Sequence, residues 1–257
     1  AVVIPDFTVD PDRDAVTDNS FTADRINGTY NEVATFNNDG TFDVSILWRA
    51  SSFNSDDDTF QMGAGATGLT VDYGLYATFT GTGTFTTPDG GVSAEFFFSS
   101  GSVSLVLDEN SDTFAVAADI ASSKPTSGAN AWDTSLLDIA DDVVIGVGSM
   151  YPSPDSEGEL FAVDGPGSNA GRFGTTTSFE LLSEGELFFT GPNPFYNMTF
   201  ESGDLTRFEA VAGTTETDIT GKLSVDFNNA TVPEPSSIAM IGLGFLGLGF
   251  VGRKKAK

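Results

Sequence analysis

Acidic and amide side chains recur at alternate positions in three short segments of this 257-residue sequence. The three triplets are Asp10, Asp12 and Asp14; Asn54, Asp56 and Asp58; and Asp108, Asn110 and Asp112. Alternate side chains on a tight loop can converge on one hard cation, and Ca²⁺ prefers such oxygen ligands. The segments lack the glycine at the sixth position and the glutamate at the twelfth that complete an EF-hand loop. They are candidate Ca²⁺ sites, with solvated loop charge as the alternative.

The sequence contains no histidine and no cysteine. A Ser-His-Asp or Cys-His nucleophile system and His-ligated zinc are therefore excluded. Two carboxylates can hydrolyse a glycosidic bond without histidine. Asp141 with Asp142, and Glu184 with Glu186, are such pairs, but no feature distinguishes them from the many other acids. We therefore predict no catalytic residues and a protein that is not an enzyme.

The formal net charge is −26, which restricts the classes of partner. A surface this acidic repels nucleic acid and anionic lipid. The basic residues that precede the C-terminal segment are scattered singly and form no stripe: Arg13, Arg25, Arg49, Lys124, Arg172, Arg207 and Lys222. We expect no nucleic-acid partner. The acidity suits a salty medium or divalent cations.

Aromatic residues offer a second class of site, a platform on which a sugar ring could stack. The candidates are Trp48, Trp132, Tyr151, Tyr196 and the run Phe96, Phe97 and Phe98. The alternative is that these residues are core, because most Phe and Trp side chains are buried. Phe96 and Phe98 would share one face of a strand and Phe97 would take the other. That strand is either covered on both faces or exposes an apolar patch.

Strand patterns dominate the first 228 residues. Asn38, Asp39 and Gly40 predict a hairpin turn between an arm at 30–36 and a strand in which Phe42, Val44, Ile46 and Trp48 alternate with polar residues. Leu223, Val225 and Phe227 alternate in the same way. The spacing of Trp132, Leu136, Ile139 and Val143 predicts one short helix that begins near Asp133.

About ten to twelve strands with short intervening turns predict an all-β fold, an antiparallel β-sandwich or barrel. We assign residues 1–228 to one acidic extracellular domain, since all-β domains of this length are common. The chain starts with Ala1, Val2 and Val3. That start fits a mature end left by a signal peptidase, so we expect a removed signal peptide.

The C-terminal segment has three parts. Residues 229–237 form a linker in which Pro233 and Pro235 prevent regular structure. Residues 238–252 are uncharged and glycine-rich, and predict a short hydrophobic transmembrane helix. Such a helix rises only about 21 Å over 14 residues, against a hydrocarbon core of about 30 Å. Residues 253–257 are a basic tail expected on the cytoplasmic side.

The set VPEPSS at 232–237, a short apolar segment and a basic cluster resembles the PEP-CTERM sorting signal of Gram-negative bacteria. The resemblance implies recognition by an exosortase, a membrane transpeptidase-like protease. It implies a sorting motif of Val232, Pro233, Glu234 and Pro235, and a membrane-anchor flank of Arg253, Lys254, Lys255 and Lys257. It also implies transient anchoring in the inner membrane, then cleavage and transfer to the cell surface or extracellular matrix.

The domain itself is similar to the flocculation-associated PEP-CTERM proteins of floc-forming bacteria. The similar segments are INGTYNE at 26–32, YGLYATF at 73–79, FGTTTSF at 173–179 and PFYNM at 194–198. The resemblance implies a role in cell aggregation, as flocculation or biofilm, within an exopolysaccharide matrix, and implies no catalytic residues. The alternatives are a carbohydrate-binding module for exopolysaccharide and a subunit that self-assembles into extracellular fibres through exposed strand edges.

Overall fold

Antiparallel strands make up most of the computed structural model, which describes residues 4–14, 19–89, 92–114, 117–161, 170–193 and 195–228. The strands in these ranges are β1 (Phe7–Val9), β2 (Phe21–Ala23), β3 (Arg25–Phe36), β4 (Thr41–Ser55), β5 (Phe60–Gln61), β6 (Gly74–Thr86), β7 (Ala94–Asp108), β8 (Val143–Met150), β9 (Ser156–Leu160), β10 (Gly171–Leu181), β11 (Phe189–Gly191), β12 (Asn197–Leu205) and β13 (Thr214–Asn228). The helices are α1 (Ala64–Thr67), α2 (Ala117–Ser123) and α3 (Ser183–Phe188), with a 3₁₀ turn at Thr134–Leu136. The predicted all-β antiparallel fold is confirmed.

The main sheet closes on itself. Going round it, β3, β4, β6, β7, β8, β10, β12 and β13 follow the order of the chain, and β13 pairs with β3. β9 continues the line of β8, because both pair with β7 on one side and β10 on the other. The pairing of β10 with β12 completes the ring. Of the two predicted architectures, these hydrogen bonds give the barrel, in which the described strands run up and down.

The predicted hairpin lies where the sequence placed it. Gly40 has a φ of 82°, the left-handed conformation that glycine adopts without strain. The turn pairs Phe36 with Phe42, and the register then runs along the whole of β3. Alternation along β4 turns Phe42, Val44, Ile46 and Trp48 into the barrel.

Large apolar side chains fill the barrel interior. Trp48 is 1% exposed, and its indole N–H reaches past β3 to donate to the carbonyl of Leu223 on β13 at 3.0 Å. The indole ring of Trp48 fits over β3 only because residue 28 is glycine: a Cβ there would lie 2.3 Å from the Trp48 ring and from the Arg49 carbonyl oxygen. Close approach of an indole to the backbone therefore requires glycine at 28.

A second, smaller core lies on the outside of the barrel. Val33, Leu47, Tyr76 and Val106 point outward from four neighbouring strands and pack against Trp132. The connection between β7 and β8, which contains α2 and the 3₁₀ turn, covers them. The single helix predicted from Trp132 to Val143 is wrong. Asp133 does cap a turn by accepting from the N–H of Ser135, but the turn ends at once and Val143 begins β8.

The two ends of the barrel differ in how they are covered. We call one the Phe208 end, where the turns at 37–40 and 206–213 lie. We call the other the Phe7 end, where β1, β2 and β11 form a separate small sheet beside α3. β13 finishes at the Phe7 end, so the C-terminal segment follows from there.

None of the helices among the described residues combines the length and apolar character needed to cross a membrane. The predicted linker at 229–237, the hydrophobic helix at 238–252 and the basic tail at 253–257 lie outside the described residues.

Candidate functional site

All three predicted acidic triplets lie at the Phe7 end of the barrel. Asp10, Asp12 and Asp14 bring one carboxylate oxygen each to within 4.8 Å of one another. Asp10 is 1% exposed and follows β1, while Asp12 and Asp14 are exposed. The side-chain amide of Asn19 donates to Asp12 at 2.9 Å and lowers the pKa of that carboxyl. These oxygens could hold a hard cation.

The second cluster differs from its predicted membership. Asp108 and Asp112 lie close together, and the third carboxylate within 4.8 Å is that of Asp141, from the connection before β8. Asn110 instead donates its side-chain amide to Asp141 at 2.7 Å. The sequence signal for Asp141 was its acidic pair with Asp142, but a separation of about 30 residues hid the contact.

Backbone donors fix the centre of this second cluster. Asp108 is 4% exposed and accepts from the N–H groups of Asp112 and Thr113 at 3.1 and 3.2 Å. Desolvation, followed by repulsion from Asp141 and its acidic neighbours, raises the pKa of Asp112. Crowded carboxylates of this kind gain stability from a bound cation.

Asp142 faces away from that cluster toward the outer core. Its carboxylate accepts from the Tyr76 hydroxyl at 2.6 Å and from the Thr113 hydroxyl at 2.8 Å. Partial burial raises its pKa. These bonds tie the β7–β8 connection to β6, so Asp142 has a structural role.

Arg13 joins the two acidic clusters. Its guanidinium pairs with Glu184 at 2.8 Å and also with Glu109, the neighbour of Asp108. Arg13 itself has a φ of 54°, so the loop after β1 bends sharply to make these contacts. The clusters are thus held on one side of the Phe7 end.

The third predicted triplet is an ion-pair network. Asp58 binds Arg25 at 2.6 Å and accepts from the Asn54 amide at 2.7 Å. The same arginine makes a bidentate contact with Asp226, with both N–O distances 2.6 Å. Asp56, Asp57 and Asp58 all have positive φ. This network links β3, β13 and the turn after β4, and within it the carboxylates of Asp58 and Asp226 are engaged with Arg25.

The predicted aromatic platform is not assembled. Trp48 and Trp132 are buried in two different cores, at 1% and 4% exposure. Phe98 points into the barrel, while Phe97 lies partly exposed on the outer wall. Tyr196 is half-buried and donates its hydroxyl to the carbonyl of Asp6 at 3.2 Å.

Comparison with known proteins places a signal at the C-terminal end. A model of the PEP-CTERM protein-sorting motif matches residues 231–255. No curated protein and no solved structure matches the chain. The matched residues include the predicted motif at Val232, Pro233, Glu234 and Pro235 and follow soon after β13. The chain therefore carries a PEP-CTERM sorting motif, the signal of an exported protein that is transiently anchored at the membrane and sorted to the cell surface by an exosortase.

Proposed function

We propose that this protein promotes cell aggregation, as flocculation or biofilm cohesion, at the surface or in the extracellular matrix of a Gram-negative bacterium. The observation that carries the proposal is the sorting motif at 231–255, which follows directly on an acidic all-β domain. The segments at 26–32, 73–79, 173–179 and 194–198, whose sequences resemble flocculation-associated PEP-CTERM proteins, favour the same role. The proposed role is structural and involves no catalytic step.

Divalent cations provide the physical link in this proposal. Acidic polysaccharide and a protein of net charge −26 repel each other. A Ca²⁺ ion that shares ligands between the two removes the repulsion, and the clusters around Asp10 and Asp108 present suitable oxygens. The partner is therefore an anionic exopolysaccharide.

Two alternatives have less support. Sugar binding on an aromatic platform would need exposed rings, and both tryptophans are buried. Fibre growth through strand edges would need long free edges, whereas the main sheet of the described residues is closed.

The sorting step is tested by the intact mass of the protein from the extracellular matrix, compared with that from a strain that lacks the exosortase. We expect the wild-type matrix form to end near Pro233 to Pro235 and to be lost from the mutant matrix. A form that still ends at Lys257 in both strains would contradict processing and release.

The cohesive role is tested separately by deletion of the protein and by chelation. Deletion should disperse the flocs, and so should a Ca²⁺ chelator added to wild-type flocs, with recovery when Ca²⁺ is returned. Asp112→Asn in the second cluster should weaken aggregation, whereas Glu209→Gln removes one charge at the other end of the barrel and should not. Flocs that persist after deletion would refute the role.

A further inference from the structure

The side chain of Glu32 lies on the interior face of the barrel. Glu32 pairs with Ile46 of β4 and Ile219 of β13, both apolar. It alternates with Tyr30 and Ala34, which belong to the interior core. The period of two along a strand therefore turns Glu32 inward, away from the solvent that acidic residues normally face.

Glu32 lines a cavity of about 40 Å³ near the Phe208 end. That volume is room for about three water molecules. Its exposure is intermediate because the side chain faces this cavity. Six of the thirteen residues that line it are phenylalanines: Phe36, Phe42, Phe96, Phe98, Phe173 and Phe208.

The cavity has one wall that does not belong to a strand. Phe208 lies in the turn at 206–213, half-buried, and stacks on Phe36 with the ring centroids 6.0 Å apart. The other lining residues are held by the ladders of the barrel. Displacement of Phe208 therefore enlarges the cavity without breaking the hydrogen bonds of the sheet.

The negative charge of an ionised Glu32 is not compensated by a neighbouring group among the described residues. Burial alone, with no contribution from a cation or a hydrogen-bond donor, raises the pKa of Glu32 to about 8. The other charged residues that line the cavity are Glu159 and Arg172, which pair with each other at 3.1 Å. The flanking strands present Ile46 and Ile219 at its register. A buried carboxyl of this kind lowers the stability of the empty protein.

An acidic depression of about 590 Å³ on the outer wall adjoins the cavity and shares Phe96, Gly158 and Phe173 with it. Its charged residues are Glu95, Glu157, Glu159, Glu201 and Arg172. With four acids and one base, the depression raises the local concentration of cations and lowers that of anions.

We propose that the cavity at Glu32 binds a small organic ammonium ion, with the cation against the Glu32 carboxylate and its apolar part against the phenylalanine rings. The carboxylate supplies the counter-charge. Aromatic faces attract cations through their quadrupoles, most strongly when the cation is desolvated. The acidic depression favours a cation over a neutral or anionic ligand of the same size.

The test is isothermal titration calorimetry of the full 257-residue chain with n-butylammonium chloride, with butan-1-ol as the neutral probe of matching length. We expect saturable binding of the ammonium and none of the alcohol at the same concentration. Because binding ionises Glu32, titrations at pH 7 in buffers of different ionisation enthalpy should detect release of about one proton. Affinity should rise about tenfold from pH 7 to pH 9.

Glu32→Gln keeps the shape of the side chain and removes its charge. We expect it to weaken butylammonium binding at least tenfold, whereas the exposed Glu180→Gln on β10 should leave the affinity unchanged. No saturable heat with butylammonium, equal binding of butan-1-ol, or wild-type affinity in Glu32→Gln would each overturn the proposal. Proton release is measured on the wild-type chain and does not depend on the folding of any variant.

Discussion

The two ends of the barrel are closed by different structures. At the Phe7 end, the ring of Phe7 lies 5.0 Å from Phe227 and 5.8 Å from Phe189, and all three are at most 2% exposed. The three-stranded sheet supplies two of these rings, because Phe7 lies on β1 and Phe189 on β11. At the Phe208 end, a single half-buried ring on a turn covers a cavity that contains a carboxyl.

The Phe7 end contributes mainly to stability, and the Phe208 end is suited to binding a ligand. The Phe7 end buries aromatic surface completely, holds the acidic clusters outside it and leads into the sorting segment. The Phe208 end keeps unfilled apolar volume and an unbalanced acid, both of which cost stability unless a ligand compensates. Since β13 ends at the Phe7 end, the cavity lies at the end of the barrel opposite the last described residue, Asn228.

The largest expected effect is at the Phe7 end. Phe7→Ala removes a fully buried ring that contacts three other phenylalanines, one of them Phe53 at 6.3 Å. We expect the free energy of unfolding to fall by about 3–5 kcal/mol. Urea unfolding followed by tryptophan fluorescence measures it. A loss below about 1 kcal/mol would mean that this end is not sealed by its aromatic cluster.

The next effect concerns Glu32 and depends on pH. Its pKa in the folded protein is raised to about 8 from 4.5, so the unfolded chain loses the proton first and stability falls as the pH rises between these values. Glu32→Gln removes this penalty. The interval from 4.5 to 8 corresponds to about 5 kcal/mol. Because the cavity leaves the carboxylate partly accessible to water, we expect the variant at pH 9 to be more stable than wild type by on the order of 3 kcal/mol, and at pH 4 equally stable. A variant that is less stable at pH 9 would show that the carboxylate has a partner.

Glu32 and the closure of the barrel show how much of the fold could be predicted from the sequence. Tyr30, Ala34 and Phe36 alternate along β3, so Glu32 could have been placed on their apolar face from the sequence alone. The period of two that predicted the face of Phe42 and Trp48 contains this information. The closure of the barrel by β10 and β12 could not be predicted, because strand pairing depends on packing between distant segments and not on local pattern.

The acidic triplets, too, could be predicted only in part from the sequence. The spacing of Asp10, Asp12 and Asp14 at alternate positions brings their carboxylates together, as predicted. The same pattern at Asn54, Asp56 and Asp58 produced an ion-pair network, because Arg25 from another strand reached it. Local spacing thus specified the first cluster in full, while residues distant in the sequence, Asp141 and Arg25, decided what the other two triplets form.

Ca²⁺ binding at the Phe7 end gives a further test of the difference between the two ends of the barrel. At a free Ca²⁺ concentration of ten times the dissociation constant, we expect stabilisation of about 1.4 kcal/mol, seen as a higher melting temperature, with a smaller effect of Mg²⁺. Asp112→Asn should reduce the Ca²⁺ shift, and Glu209→Gln at the Phe208 end should not. Equal shifts with both ions would indicate charge screening instead of a site.

The smallest effect belongs to the ring that covers the cavity. Phe208 is half-buried and already borders unfilled volume, so Phe208→Ala loses little contact area and should lower the free energy of unfolding by about 1 kcal/mol or less. The measurement is the same urea unfolding series as for Phe7→Ala, at pH 7. If the two losses were equal, the ends would be sealed alike and the Phe208 end would have no special capacity to open. If the loss at Phe208 is small, the turn at 206–213 can move without unfolding the barrel, because the β-ladders below it do not depend on that ring.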